Sequence, residues 1–230
     1  MGTVLITGAS RGLGLEFARQ YAEEGWRVIA TCRDPAQIGR IRAISAKIEA
    51  HRLDLTDVEA IAALGRKLNS ESIDVLIANA GVLLGREMSP GAIEPRIWIE
   101  SFHVNTMAPL ACAGAFLEQV SRSREKKMVA IGSLVASIGG STTGGHYAYR
   151  ASKSALNAVW HAFAQDHPEV IATVLNPGRM RTGMTQYDKA QWDRLPLPEE
   201  RARDLRNLIA RLEPQQSGGF FQYTGESIPW

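Results

Sequence analysis

Covalent cross-links have almost no place in this chain, because only two cysteines, Cys32 and Cys112, stand in its 230 residues. That is too few for a disulfide framework, and both lie in apolar surroundings, where buried thiols of a reducing compartment are found. Excess charge of one sign is lacking too. Lys and Arg total 26 against 24 Asp and Glu, a net charge of +2, so neither nucleic acid nor a membrane surface is an expected partner. The single basic cluster, SRSREKK from Ser121 to Lys127, falls where a helix should hand over to a strand and reads as a solvated helix end. No run of about 18 apolar residues occurs, so no membrane-spanning helix is expected. His51, His103, His161 and His167 show neither metal-ligand spacing nor a carboxylate partner, and no metal site is expected. The chain opens MGTVLITG, a strand with no charged leader before it, which makes the cytoplasm the expected location.

What is present is a regular alternation. Short apolar runs, TVLIT, WRVIATC, KIEAHRLDL, IDVLIANAG, KMVAIGS and EVIATVLNPG, are separated by segments with helical spacing of apolar residues. Thr56 or Asp57 is placed to cap the helix of TDVEAIAALGRKL, and one long apolar helix is expected from Pro95 to about Val120. A charged helix near Glu199–Leu212 precedes a last short strand in GGFFQYTG. Near-continuous apolar strands between helices predict a parallel sheet covered on both faces. The expected fold is therefore α/β: one Rossmann-type, doubly wound domain over residues 1–230, with about seven strands. A short segment around 183–212 is expected to cover the substrate.

The first strand runs into TGASRGLG, where Gly8, Gly12 and Gly14 are spaced GxxxGxG. Glycines at a strand–helix junction let backbone approach a pyrophosphate, whose charge meets the amides and dipole of the helix N-terminus. Gly8, Ser10, Arg11, Gly12, Leu13 and Gly14 are thus candidate dinucleotide contacts. At the end of the second strand, where a carboxylate would bind the ribose hydroxyls of NAD, this chain has Cys32 and then Arg33. With Arg11 in the loop, two guanidiniums and no carboxylate favour the 2′-phosphate of NADP(H). Asp54 is a candidate partner for the adenine amino group, with Leu55 packing on the ring. Asn79 should brace strand ends, while Ala80 and Gly81 leave room for a ribose.

Tyr149 and Lys153, in YRASK, are four residues apart and so share one helix face. A tyrosine pKa of about 10 needs roughly 4 kcal/mol to fall to 7. An ammonium about 5 Å away at an effective dielectric of about 20 supplies roughly 3 kcal/mol. The expectation is that Lys153 lowers Tyr149 towards neutrality and that Tyr149 passes a proton to a carbonyl oxygen. Tyr147 has no lysine four residues on. Loop residue His146 could border the pocket, and Met184, Tyr187 and Trp192 could form an apolar wall or lid.

With TGASRGLG, NAG, YRASK and NPGRMRT in this order, the chain resembles the short-chain dehydrogenase/reductase superfamily from Thr3 to Thr182. GGHYAYRASKSALN, PGRMRT and GFFQYTGESIPW are similar to the branch of C-factor and the sniffer-type carbonyl reductases. The resemblance implies a catalytic set of Tyr149, Lys153, Ser133 and Asn105. Ser133 would position the substrate oxygen, Asn105 would hold a proton-relay water, and Lys153 would also hold the nicotinamide ribose. Thr182 would contact the nicotinamide end above the turn of Pro177 and Gly178. It implies reduction of an aldehyde or ketone to an alcohol with NADPH, a small carbonyl or alcohol as substrate, and a homodimer or homotetramer. The 16-residue spacing from Ser133 to Tyr149 is longer than the pattern of the superfamily, which leaves Ser137 as an alternative to Ser133. A nucleotide-binding signalling protein of C-factor type, with catalysis secondary, is the other reading.

Overall fold

The computed structural model describes residues 2–230. Seven parallel strands form one sheet in the order β3-β2-β1-β4-β5-β6-β7. The first half comprises β1 (Thr3–Ile6), α1 (Gly12–Glu23), β2 (Arg27–Cys32), α2 (Ile38–Arg42), β3 (Ile48–Arg52), α3 (Val58–Lys67) and β4 (Val75–Ala78). The second comprises α4 (Pro95–Phe102), α5 (Ala108–Ala115), α6 (Leu117–Ser121), β5 (Lys127–Ile131), α7 (Tyr147–Asp166), β6 (Ile171–Asn176), α8 (Lys189–Trp192), α9 (Pro198–Ala210) and β7 (Phe220–Gln222). This is the doubly wound α/β architecture that the alternation predicts.

Every strand but the edges is buried on both faces, which is why the strands read as apolar runs rather than alternating ones. In β1, Val4 and Ile6 join a core with Phe17, Tyr21 and Leu205, beneath α1 and α9. Leu5, between them, points to the opposite face, among Ile61, Leu76, Phe116, Leu156 and Trp160. The strand order reverses at β1, whose residues pair with β2 on one side and β4 on the other. In open α/β sheets the crevice beyond the strand ends at such a reversal is where ligands bind.

The long apolar helix expected from Pro95 to Val120 is not continuous. After α4 the chain makes one π-type turn, His103–Met107, before α5, and Phe116 (φ −115°) separates α5 from α6. The cause is local. Pro109 has no N–H to give the carbonyl of residue 105, four positions back, so α-helical bonding cannot run through this point. The loosened turn carries Asn105. At the start of α3 the structure selects Asp57 as cap, its Oδ1 accepting from Ala60 N at 2.9 Å, while Thr56 bonds Asp54. Two histidines expected to lack carboxylate partners have them. His51 Nε2 lies 2.8 Å from Glu49 Oε1, its same-face neighbour on β3, and His167 Nδ1 lies 3.2 Å from Glu169.

Candidate active site

Beyond the carboxyl ends of the strands lies a cleft of about 1380 Å³. All seventeen candidate dinucleotide contacts line it, from Gly8 to Thr182, and so does Ser133. Asn105 lies behind the wall. The glycine loop is shaped by contacts that admit no side chain. Gly8 has φ +70°, and a Cβ there would stand 2.9 Å from Ala80 Cα. At Gly14 a Cβ would stand 2.4 Å from Gly8 O and 2.5 Å from Asn79 Nδ2. The helix start is thus pressed against the turn that precedes it. Asn79 braces the strand ends as expected: its Nδ2 donates to Thr7 O at 2.9 Å and Gly8 O at 3.2 Å, and its backbone N–H to Thr7 Oγ1.

At the end of β2, Cys32 is buried and Arg33 is exposed at the cleft edge. The next carboxylate along the chain, Asp34, caps the turn before α2: Oδ1 accepts from Ala36 N at 2.9 Å and Oδ2 from Gln37 Nε2 at 3.4 Å. Arg40 also lines the cleft and donates to the neutral amide of Gln37. No motif pointed to it, since α2 brings it back to the cleft from seven residues beyond Arg33. Asp54 is held below the usual carboxylate range, first by the hydrogen bond from Thr56 N–H and further by Thr56 Oγ1 and the charges of Arg33 and Arg52.

Asn105 is fully buried. Its Oδ1 accepts from Val82 N at 2.9 Å, and its Nδ2 donates to Val82 O at 2.9 Å and to Ser152 Oγ at 3.0 Å. These bonds tie the π-type turn both to the segment after β4 and to α7. Tyr149 is half-buried on the first turn of α7, and Lys153 one turn on is 3% exposed. Lys153 Nζ donates to Ile131 O at 2.7 Å, and burial lowers its pKa to about 8. Glycine at position 81 leaves space beside this ammonium, since a Cβ there would stand 3.5 Å from Nζ.

The expected tuning of Tyr149 by Lys153 is corrected by this geometry. Burial raises the phenol above its ordinary value, a hydrogen bond with Ser133 pulls it down, and the neighbouring Tyr187 raises it further. Loss of water around the phenol outweighs any help from an ammonium already committed to the Ile131 carbonyl. Of the two serines, Ser133 ends the β5 segment at the cleft beside Tyr149. Ser137 is buried elsewhere, donating to Pro229 O in the C-terminal tail and accepting from Gly140 N at 2.8 Å. In the expected covering segment, Met184 and Tyr187 line the cleft, while Trp192 lies outside its lining. Thr182 lies over the glycine loop, where a Cβ at Gly12 would meet its Cγ2 at 3.4 Å.

The sequence pattern of the short chain dehydrogenase family matches residues 2–193. The chain belongs to that family. It is 35% identical over 132 residues to the C-signal protein of Myxococcus xanthus, covering 56% of this chain and 76% of that one. Among solved structures, the carbonyl reductase Sniffer of D. melanogaster superposes with a TM-score of 0.87 at 28% identity over 100% of both chains. An NADPH-bound carbonyl reductase from chicken fatty liver gives a TM-score of 0.87 at 27% identity, over 99% of this chain and 98% of the other. As a short-chain dehydrogenase the chain is an oxidoreductase by family, with carbonyl reductases among its relatives. No helix among the described residues is long and apolar enough to cross a membrane.

Proposed function

We propose that the protein is an NADPH-dependent carbonyl reductase. The observation that carries this is the convergence, in one cleft, of the Ser133–Tyr149 pair, the buried Lys153 and the glycine loop. The residues present fit a dinucleotide. Close packing at Gly8 and Gly14 keeps the backbone of the loop bare of side chains at the cleft, and Arg11, Arg33 and Arg40 line the same cleft. With Asp34 occupied as a cap, these guanidiniums suit a ribose bearing a 2′-phosphate better than one bearing free hydroxyls. NADPH, when bound, supplies hydride to the carbonyl carbon.

This chain's own residues handle the oxygen and the proton. Ser133 donates a hydrogen bond to the substrate oxygen and orients the carbonyl against Tyr149. Tyr149, whose raised pKa keeps it protonated at neutral pH, gives its proton to that oxygen as negative charge develops there. Lys153 stands one helical turn away. Its ammonium, still charged below pH of about 8, stabilises the phenolate left behind. Asn105 fixes the backbone around Val82 and holds the π-type turn against α7, which keeps the relay side of Lys153 in register. A protein that only bound nucleotide for signalling would need none of this arrangement beyond the glycine loop. The test is NADPH oxidation followed at 340 nm with a panel of aldehydes and ketones. Tyr149→Phe should abolish turnover and leave NADPH binding nearly unchanged; full turnover in that variant refutes the mechanism.

A further inference from the structure

The cleft lining includes His146, which carbonyl reduction alone leaves without a role. His146 precedes α7 in the left-handed conformation (φ 53°, ψ 40°), after Gly145 at φ +78°. A residue with a β-carbon is strained there, yet its side chain makes no cap hydrogen bond and its Nδ1 is buried without a partner among the described residues. The residue lines the cleft with Ser133, Thr143 and Tyr149. Its ring centroid lies 6.2 Å from that of Tyr187, and on the Tyr187 ring lies Arg86, Cζ 4.0 Å from the centroid. Tyr187 is therefore a wall shared by an imidazole and a guanidinium.

Positive charge prevails around this wall. Arg150, the residue after Tyr149, donates to the carbonyls of Val135, Thr143 and Gly145 and to Ser141 Oγ, all neutral groups. The one carboxylate that opposes these cations at His146 is Glu87, which pairs with Arg86 at 2.9 Å and is 85% exposed. Burial first, then Arg86 and Arg150, hold the imidazole below its ordinary pKa. His146 immediately precedes α7 and Tyr149 stands on its first turn, and both line the cleft.

We infer that His146, with Arg86 behind Tyr187, forms a specificity site for a carboxylate carried by the carbonyl substrate, so that the preferred substrates are short oxo acids. This rests on the carbonyl reductase reading for its chemistry. The arriving carboxylate accepts from the imidazole Nε2–H, the ring nitrogen that is not closed off, and offsets the arginine charge.

Two matched compounds test it: phenylglyoxylate and its neutral methyl ester, each with NADPH. The wild-type protein should show the lower KM for the acid. His146→Gly, which relaxes the left-handed backbone while removing the ring, should raise the acid's KM roughly ten-fold or more, as expected for loss of a hydrogen bond to a charged group. The ester's KM and both kcat values should stay nearly unchanged. His146→Asn, which tolerates the same backbone and keeps an N–H donor, should restore much of the loss. Arg86→Met, keeping an apolar stem on Tyr187, should move the acid's KM in the same direction. Equal changes for acid and ester, or a wild-type preference for the ester, overturn the proposal. A second readout needs no turnover. The His146 imidazole, titrated by NMR in the NADP-loaded protein, should gain proton affinity on saturation with phenylglyoxylate; an unmoved titration overturns the site. If neither compound is reduced while His146 still responds, the reductase reading fails and the carboxylate site stands.

Discussion

Replacing Arg33 with alanine separates the two nicotinamide dinucleotides if the end of β2 reads the 2′-phosphate. The structure sets the size of the effect. Arg33 is exposed at the cleft edge, and the adjacent carboxylate of Asp34 is held by Ala36 N at 2.9 Å and Gln37 Nε2 at 3.4 Å. A hydrogen bond to a charged partner contributes about 1.5–3 kcal/mol, or roughly 10- to 150-fold in a dissociation constant. Exposure places Arg33 at the low end, because charges are screened over about 8 Å at physiological salt. Arg11 and Arg40, left in place, also limit the loss. The expected outcome is an NADPH dissociation constant raised about ten-fold at 0.15 M salt and by more at 0.01 M, where screening extends to about 30 Å. NADH, which has no phosphate at that position, should change by no more than about two-fold on the same scale. Fluorescence titration of both cofactors at both ionic strengths measures all four constants. Equal losses for NADPH and NADH, or a discrimination indifferent to salt, would refute the assignment of this edge to the phosphate.

The same geometry makes further predictions. Gly14→Ala places a Cβ 2.4 Å from Gly8 O and 2.5 Å from Asn79 Nδ2, and should cost about 1–3 kcal/mol of stability together with most of the dinucleotide affinity, read by urea denaturation and by titration. Gly39→Ala is the opposite case: nothing lies within 4 Å of its Cβ on α2, and a helical Gly to Ala change should stabilise by roughly 0.5–1 kcal/mol. Lys153 gives a pH dependence with a defined sign. Its folded pKa of about 8 lies below the ordinary 10.5, so between these values the unfolded chain holds a proton that the folded chain has released. Stability from this group therefore rises with pH across that window, by up to about 3 kcal/mol. Urea midpoints of wild type and Lys153→Met at pH about 7.5 and 10 should diverge accordingly, and a constant difference between them would contradict the buried ammonium. Reduction itself should decline above pH of about 8 as that ammonium is lost.

The fold was legible because its signals are local and redundant. Apolar runs such as TVLIT and WRVIATC read as buried parallel strands, and Asp57 capping α3 was one of two residues its own sequence named. The break in the helix after Pro95 was legible in part, since Pro109 was visible to anyone counting four residues back to Asn105. What periodicity could not supply was the reward for breaking there, the three hydrogen bonds that the Asn105 side chain makes to Val82 and Ser152. Those partners lie 23 and 47 residues away. Apolar spacing across the segment gives no warning of such distant partners.

The candidate site shows the same division more sharply. The spacing of Tyr149 and Lys153 placed both on one helix face, and the structure bears that placement out. The electrostatic consequence drawn from spacing was nonetheless wrong, because spacing says nothing about water. Once β5 supplies the Ile131 carbonyl to Lys153 and the helix start buries the phenol, desolvation acts on both groups, raising Tyr149 and lowering Lys153. Their pKa values cross and move apart, the phenol above and the ammonium below its ordinary value, rather than Tyr149 simply falling towards 7. For a reductase this is the more useful arrangement. The acid stays protonated until substrate oxygen gains charge, and the neighbouring ammonium, marginally stable in its buried position, gains the most from a phenolate beside it. The proposed proton donor is therefore set by the low-dielectric pocket as much as by its lysine. A mutation that lets water into the cleft, such as truncation of Tyr187, should lower the Tyr149 pKa while Lys153 stays in place.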